Sequence, residues 1–315
     1  MRAAFYCVSD ESYFLGAVGL INSLRLLGHT EPVFLLDCGL TPAQRELLAP
    51  QATLVDAPSG TPPTLLKTIA PLRHPAEVMA LLDTDLIVTR PLTELIDRAS
   101  GGRVVAFEND SDRFVPEWGE LLNLGEIRRQ PYLAFAMVCM DGSIGSSVLR
   151  LIQDRQQRID FERGYWGRHD AEYPLLYADQ DVLNAILATR VEAERVVALD
   201  ARLAPTPPFT GLRVVDESSL RCAHDDGLEP YVVHHYIAKP WLEPTHHGVY
   251  SRLLRRLLVR PDVAVRVPAR QIPLRLRTGL LAFAERRRVN AREQLRYRVR
   301  EPLSSRLRSL RSDGS

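Results

Sequence analysis

Apolar and polar positions come in alternating blocks over the first hundred residues. Ala3 to Val8 is a short apolar run of strand length, closed by the polar Ser9-Asp10-Glu11. From Ser12 to Leu27 the apolar positions Phe14, Val18, Ile21, Leu24 and Leu27 fall at helical spacing, and Gly28 stops the helix. Pro32 to Leu36 reads as a second strand, Thr41-Pro42 opens a helix to Leu48, and Ala52 to Val55 is a third strand. Thr64 to Leu72 reads as a helix carrying Lys67. The run from Ala80 to Val88 then reads as one buried strand, interrupted by Asp83 and Asp85.

Strands alternating with helices predict an α/β fold, a mostly parallel sheet flanked by helices. Further on, Pro91–Ala99 reads as a helix and Arg103–Phe107 as a strand. Ala134–Met140 reads as a strand, Gly145–Ile159 as a helix, and Tyr231–Val233 as a strand. An amphipathic helix follows Tyr177, with Asp179 placed to cap it. Residues 110–130 and 161–174 show no period and read as loops, one a candidate lid or acceptor loop.

Composition changes the picture in two places. Overall it is ordinary for a globular chain of 315 residues, 45% hydrophobic and 25% charged. The four scattered cysteines suit reduced, buried thiols rather than a disulfide or zinc framework. The first residues run straight into a strand-like segment and no apolar run approaches 18 residues, so neither a signal peptide nor a membrane span is expected, and the expected location is cytoplasmic. The first departure is charge. Residues 251–315 carry 18 Arg against 5 acids, a net of +13, which leaves the first 250 residues at −12. We therefore expect a body at 1–249 and a basic, helical C-terminal tail at 250–315, whose Leu253, Leu254, Leu257, Leu258, Leu280, Leu281 and Phe283 suit peripheral docking on the anionic inner face of a membrane. Nucleic acid is not an expected partner. The second departure is lysine: only Lys67 and Lys239 occur, every other cation being Arg. A compact ammonium differs physically from a planar guanidinium.

The candidate chemistry begins at Asp83-Thr84-Asp85. Carboxylates at i and i+2 on extended backbone point to one side. At a strand end they can hold one hard cation, Mn²⁺ or Mg²⁺, with oxygens left for phosphates; alone, the motif equally fits a solvated acidic turn. In doubly wound sheets ligands bind beyond the carboxyl ends of the strands, where Ser9-Asp10 and Asp83–Asp85 would both lie. Two further pieces stand out: Asp179-Gln180-Asp181, and His234-His235 followed by Lys239-Pro240-Trp241.

Over roughly residues 3–242 these four pieces, in this order, resemble glycosyltransferase family 8, the group of glycogenin and bacterial lipopolysaccharide galactosyl- and glucosyltransferases. The resemblance implies a GT-A, Rossmann-like nucleotide-sugar fold. It also implies a metal-dependent, retaining transfer of a hexose from a UDP-sugar to a glycan, lipid-linked or surface-polysaccharide acceptor. Carried onto matching positions, Cys7, Ser9, Asp10 and Tyr13 would line the uridine pocket, and Lys67 would reach the donor. Asp83 and Asp85, flanking Thr84, would ligate Mn²⁺ with His234 or His235; the apolar pair Val232-Val233 favours His234. Lys239 would hold the diphosphate, and Asp179 and Gln180 would lie beside the sugar as catalytic residues.

Where the family usually shows Asn-x-Gly, this sequence has Ala134-Phe135-Ala136, which leaves the donor sugar open. That departure also admits a catalytically silent UDP-sugar binder. A haloacid-dehalogenase-type phosphatase would use Asp83 and Asp85 as well, but leaves Lys239-Pro240-Trp241 unexplained. Trp118 or Trp166 could stack on an acceptor sugar or simply pack.

Overall fold

The computed structural model describes residues 1–244 and 248–292. Its elements run β1 (Ala3–Ser9), α1 (Phe14–Leu26), β2 (Val33–Asp37), α2 (Pro42–Leu48), β3 (Thr53–Asp56), α3 (Ile69–Arg73), β4 (Val78–Leu82) and β5 (Leu86–Val88). After them come α4 (Thr93–Ala99), β6 (Val104–Glu108), α5 (Trp118–Leu121), β7 (Leu133–Asp141), α6 (Gly142–Arg155) and α7 (Asp179–Arg190). β8 (Val196–Leu199), β9 (Leu212–Asp216), β10 (Arg221–His224), β11 (Val232–His234) and α8 (Val249–Val259) follow, and residues 280–292 are again helical.

Seven strands form the central sheet in the order β3-β2-β1-β4-β7-β6-β8. β1, β2, β3 and β4 are parallel neighbours, and β6 and β8 pair in parallel; β7 runs antiparallel to both β4 and β6. The central strands are apolar throughout because helices cover both faces. The start and stop signals read from the sequence operate here. Thr41 and Gln44 form a reciprocal capping box on α2, and Gly28 follows α1 at a φ of +85°, a left-handed conformation that suits glycine.

Three segments differ from the expectation. The single strand expected from Ala80 to Val88 is two strands. β4 ends at Leu82, Leu86 N–H donates back to Asp83 O, and β5 leaves the sheet to pair antiparallel with β11. The helix expected at 64–72 is broken into a 3₁₀ turn at Pro63–Leu66 and the short α3, because Pro71 lacks the N–H that would bond Lys67 O in a continuous helix. Asp179 does not cap α7. It is the first helical residue, and the cap position is Ala178, whose φ of +48° is a strained backbone for a residue with a Cβ.

Strands β6 and β7 separate beyond Ala106, where the register jumps from Ala106–Val138 to Glu108–Leu133. The backbone groups freed there find partners on α7. Asn184 accepts from Leu133 N–H and donates to Leu133 O, and Gln180 accepts from Phe135 N–H. Asp181 anchors the same helix. It is fully buried and accepts from Arg113, from the Tyr132 hydroxyl at 2.6 Å and from Tyr177 N–H at 2.8 Å.

The expected boundary between residues 249 and 250 falls inside α8. Leu253, Leu254, Leu257 and Leu258 are buried in the core shared with α1, so they are not a face for a membrane. The Asn22 amide donates to Leu257 O and Val265 O and accepts from Val265 N–H, tying α1 to this segment. Leu280, Leu281 and Phe283 are exposed. The tail beyond residue 292 lies outside the described residues. Among the described residues no helix is long and apolar enough to cross a membrane.

Two stability outcomes follow. Leu254→Ala removes a fully buried side chain and should cost about 2–5 kcal/mol, read by urea denaturation; a cost near zero would mean α8 is a dispensable appendage. Asp181→Ala leaves the Arg113 guanidinium and Tyr132 hydroxyl without their acceptor and should cost about 3–5 kcal/mol by the same measurement.

Candidate active site

The carboxyl ends of β1 and β4, the β5–β11 pair, the start of α7 and the opening between β6 and β7 surround one cavity of about 630 Å³. The turn Asp83-Thr84-Asp85 forms its floor. Three contacts fix that turn. Asp83 N–H donates to Ala136 O at 2.8 Å on β7, the Thr84 hydroxyl donates to Val8 O on β1, and Asp85 O accepts from His235 N–H beyond β11. Gly16 on α1 allows the helix to lie against the turn, since a Cβ there would sit 2.4 Å from Thr84 O and 2.8 Å from the Trp241 ring.

β11 lies opposite β5 with His234 facing Leu86, which brings a residue about 150 positions away next to Asp85. One ligand atom each from Asp83, Asp85 and His234 lie within 4.8 Å of one another. His234 Nε2 and Asp85 Oδ1 face each other at 3.2 Å, both buried, and neither makes a hydrogen bond. Two lone-pair-bearing atoms left this way in a buried carboxylate–imidazole set fit a divalent cation of the Mn²⁺ or Mg²⁺ kind. His235 is not part of the cluster. Its ring packs between Phe209 and Tyr250, and burial, then Lys239, pushes its pKa down to about 4.

The two lysines take opposite sides of the turn. Lys67 Nζ lies 2.8 Å from Asp83 and 3.1 Å from Asp179, and donates to Phe135 O at 3.3 Å. Burial opposes its charge, but Asp179 and Asp83 outweigh that and hold its pKa well above the ordinary lysine value. Lys239 Nζ donates to Asp85 Oδ2 at 2.5 Å and to His235 O at 2.6 Å. For Asp85, burial alone would raise the pKa; His234 and Lys239 reverse this and hold it far below the usual carboxylate range. Asp83 and Asp179 go the other way. Burial dominates over Lys67 and raises both. The neighbours Trp241 and Ser12 close the wall, the indole N–H donating to Ser12 O at 2.8 Å.

Of the remaining expected residues, Ser9, Asp10 and Tyr13 line the cavity on the β1 side. Asp10 accepts from the Ser12 hydroxyl and from Tyr13 N–H, holding the turn into α1, and the Tyr13 ring lies 5.6 Å from Lys239 Nζ. Cys7 is the exception. It is buried in the core beneath Ser9 rather than on the cavity wall, its thiol pushed up to about 12 by burial and then by Asp83. Gln180 lines the cavity, and its side-chain oxygen is occupied by Phe135 N–H. Ala134 and Ala136 line the opening opposite. Trp118 is buried, its N–H donating to Pro174 O, whereas Trp166 is exposed on the cavity wall.

The sequence reading passed over Glu108, Asp110, Tyr165 and Tyr236, all on the wall. The loop positions carry no period, and only the fold brings them to one place. Tyr236, two residues after His234, is the one that proximity to a singled-out residue could have flagged.

No family model and no curated protein matches this sequence. Solved structures do match in fold. The galactosyltransferase LgtC, in complex with donor and acceptor sugar analogs, superposes with a TM-score of 0.56 at 14% identity, covering 85% of this chain and 98% of that one. A structure of an active-site mutant of LgtC gives 0.55 at 15% identity over the same shares. The bifunctional glycosyltransferase WbbM gives 0.51 at 12% identity, this chain matching 50% of its length. The chain has the GT-A fold of these glycosyltransferases.

Proposed function

We propose that this chain is a metal-dependent, retaining glycosyltransferase of the family 8 kind, moving a hexose from a UDP-sugar to a glycan acceptor. The observation that carries the reading is the Asp83–Asp85–His234 cluster, flanked by Lys67 and Lys239 in one cavity. Carboxylate and imidazole donors at this spacing suit Mn²⁺ or Mg²⁺, and a bound cation neutralises the charge that grows on a departing diphosphate. Lys239 adds a fixed ammonium on the same side of the turn, in a place where water is largely excluded. Ser9, Asp10 and Tyr13 form the wall for the nucleoside. Lys67 holds Asp179 at 3.1 Å, so the carboxylate reaches the sugar side of the cavity in one orientation. In the transfer, a bond from an acceptor hydroxyl oxygen to the anomeric carbon replaces the bond to UDP. The bonding pair leaves with the diphosphate, which also takes up the hydroxyl proton. The donor and acceptor sugar analogs held by LgtC support sugars as the two substrates.

A silent binder is the second reading, favoured by Ala134 and Ala136, which offer a donor sugar no side-chain hydrogen bond. A phosphatase using Asp83 and Asp85 gains nothing from His234 or Lys239.

The test is UDP release from a panel of UDP-hexoses, with and without Mn²⁺. The expected result is turnover that EDTA abolishes and Mn²⁺ restores. UDP-sugar binding without turnover, acceptors included, would favour the silent binder, and phosphate release from simple phosphomonoesters would overturn the reading. His234→Ala and Asp85→Ala should each weaken Mn²⁺-dependent UDP binding by at least on the order of 100-fold, measured calorimetrically. His235→Phe should leave that binding in place; the reverse pattern would reassign the ligand.

A further inference from the structure

The cavity has two ends of different chemistry. One holds the Asp83–Asp85–His234 cluster and both lysines. The other opens past the end of β6 and is walled by Glu108, Asp110, Tyr165, Trp166, Tyr177 and Tyr236. These side chains converge. The Tyr165 ring lies 5.0 Å from Trp166 and 5.6 Å from Tyr177, and the Tyr236 ring lies 5.9 Å from His234. Tyr236 lines the same cavity as Tyr165, Asp110 and Tyr177.

Trp166 is 58% exposed, yet the loop beneath it is cross-linked. Tyr165 N–H donates to Leu176 O and Arg168 N–H to Glu162 O, each at 2.7 Å. Arg163 pairs with Asp170, and Gly167 lies so close to Glu162 that a Cβ would meet its carbonyl oxygen at 2.2 Å. An indole fixed in the open at a cavity mouth is a ready surface for a ligand with an apolar face.

Charge narrows what that ligand is. Among the described residues, the Lys and Arg side chains lining the cavity are Lys67 and Lys239, and both are held by carboxylates at the other end. Arg113 stands behind the Tyr177 ring and is paired with Asp181. Among the described residues, the aromatic end therefore presents two carboxylates, Glu108 and Asp110, and no Lys or Arg. A phosphate or carboxylate brought there meets like charge, whereas sugar hydroxyls meet acceptors.

We infer that this end receives an uncharged pyranose, its C–H face on the Trp166 indole and its hydroxyls donating to Glu108 and Asp110. That this pyranose is the acceptor rests on the glycosyl-transfer reading above. The surface excludes acceptors with a phosphate or carboxylate on the terminal sugar.

The test is calorimetric titration of the full chain with methyl β-lactoside, methyl β-maltoside and methyl β-cellobioside, each with and without a phosphate on the terminal hexose. At least one neutral disaccharide should bind, and its phosphorylated form should bind at least about tenfold more weakly. Trp166→Ala should weaken the neutral ligand about tenfold, whereas Trp166→Phe keeps a ring and most of the affinity. The Glu108→Gln, Asp110→Asn double variant should narrow the gap between neutral and phosphorylated forms. Equal binding of the phosphorylated forms, no binding by any of the six, or wild-type affinity in Trp166→Ala overturns the inference. The titration needs neither donor nor turnover, so its failure is distinguishable from failure of Mn²⁺-dependent UDP release.

Discussion

Asp85 is a buried carboxylate, and its charge is tolerable only because the chain delivers partners to it from far away. Lys239 and His234 come from the last third of the body, on and just after β11. β11 can reach Asp85 because β5 turns out of the main sheet and pairs with it. Trp241 then seals the same corner against Ser12 and Tyr13, and α1 closes onto the turn through Gly16. Burial, ion pairing and topology are thus one constraint: without the β5–β11 pair, Asp85 would sit in apolar surroundings uncompensated.

Much of this was legible in the sequence, for definable reasons. Strand–helix alternation reports burial directly, so the α/β sheet and the helix ends at Thr41 and Gly28 could be read. The rarity of lysine marked Lys67 and Lys239, and both stand against the Asp83–Asp85 turn. What could not be read was tertiary. Continuous apolar residues on both sides of Asp83–Asp85 look the same whether the strand continues or changes sheets, so the two-strand arrangement was hidden. Cys7 shared the motif's neighbourhood and faces the same side of β1 as Ser9, but it sits one step deeper along the strand, inside the core rather than at its carboxyl end. The arginine excess after residue 250 suggested a separate tail, yet α8 keeps its leucines in the body, with Arg252 outward and Arg256 buried against Asp262.

Asp179 and Asp181 show how one short motif divides its labour. Asp181 is spent on structure, satisfied by Arg113, Tyr132 and Tyr177. Asp179, two residues earlier, pairs with Lys67 on the cavity wall. The strained backbone at Ala178 sets the two carboxylates apart, and the network around Asp181 supplies the rigidity that maintains it. A spacing of two on a helix start does not put both groups on one face.

The opening between β6 and β7 bears on how such a site changes over time. The width at that wall is set by main chain, since Ala134 and Ala136 already carry the smallest side chain available to a chiral residue. Substitution there by anything but glycine fills space. A lineage drawing on single mutations could make this cavity choosier with ease, but beyond the one methyl that a glycine gives up it could not make it roomier without shifting β7, and with it the carbonyl of Ala136 that holds Asp83.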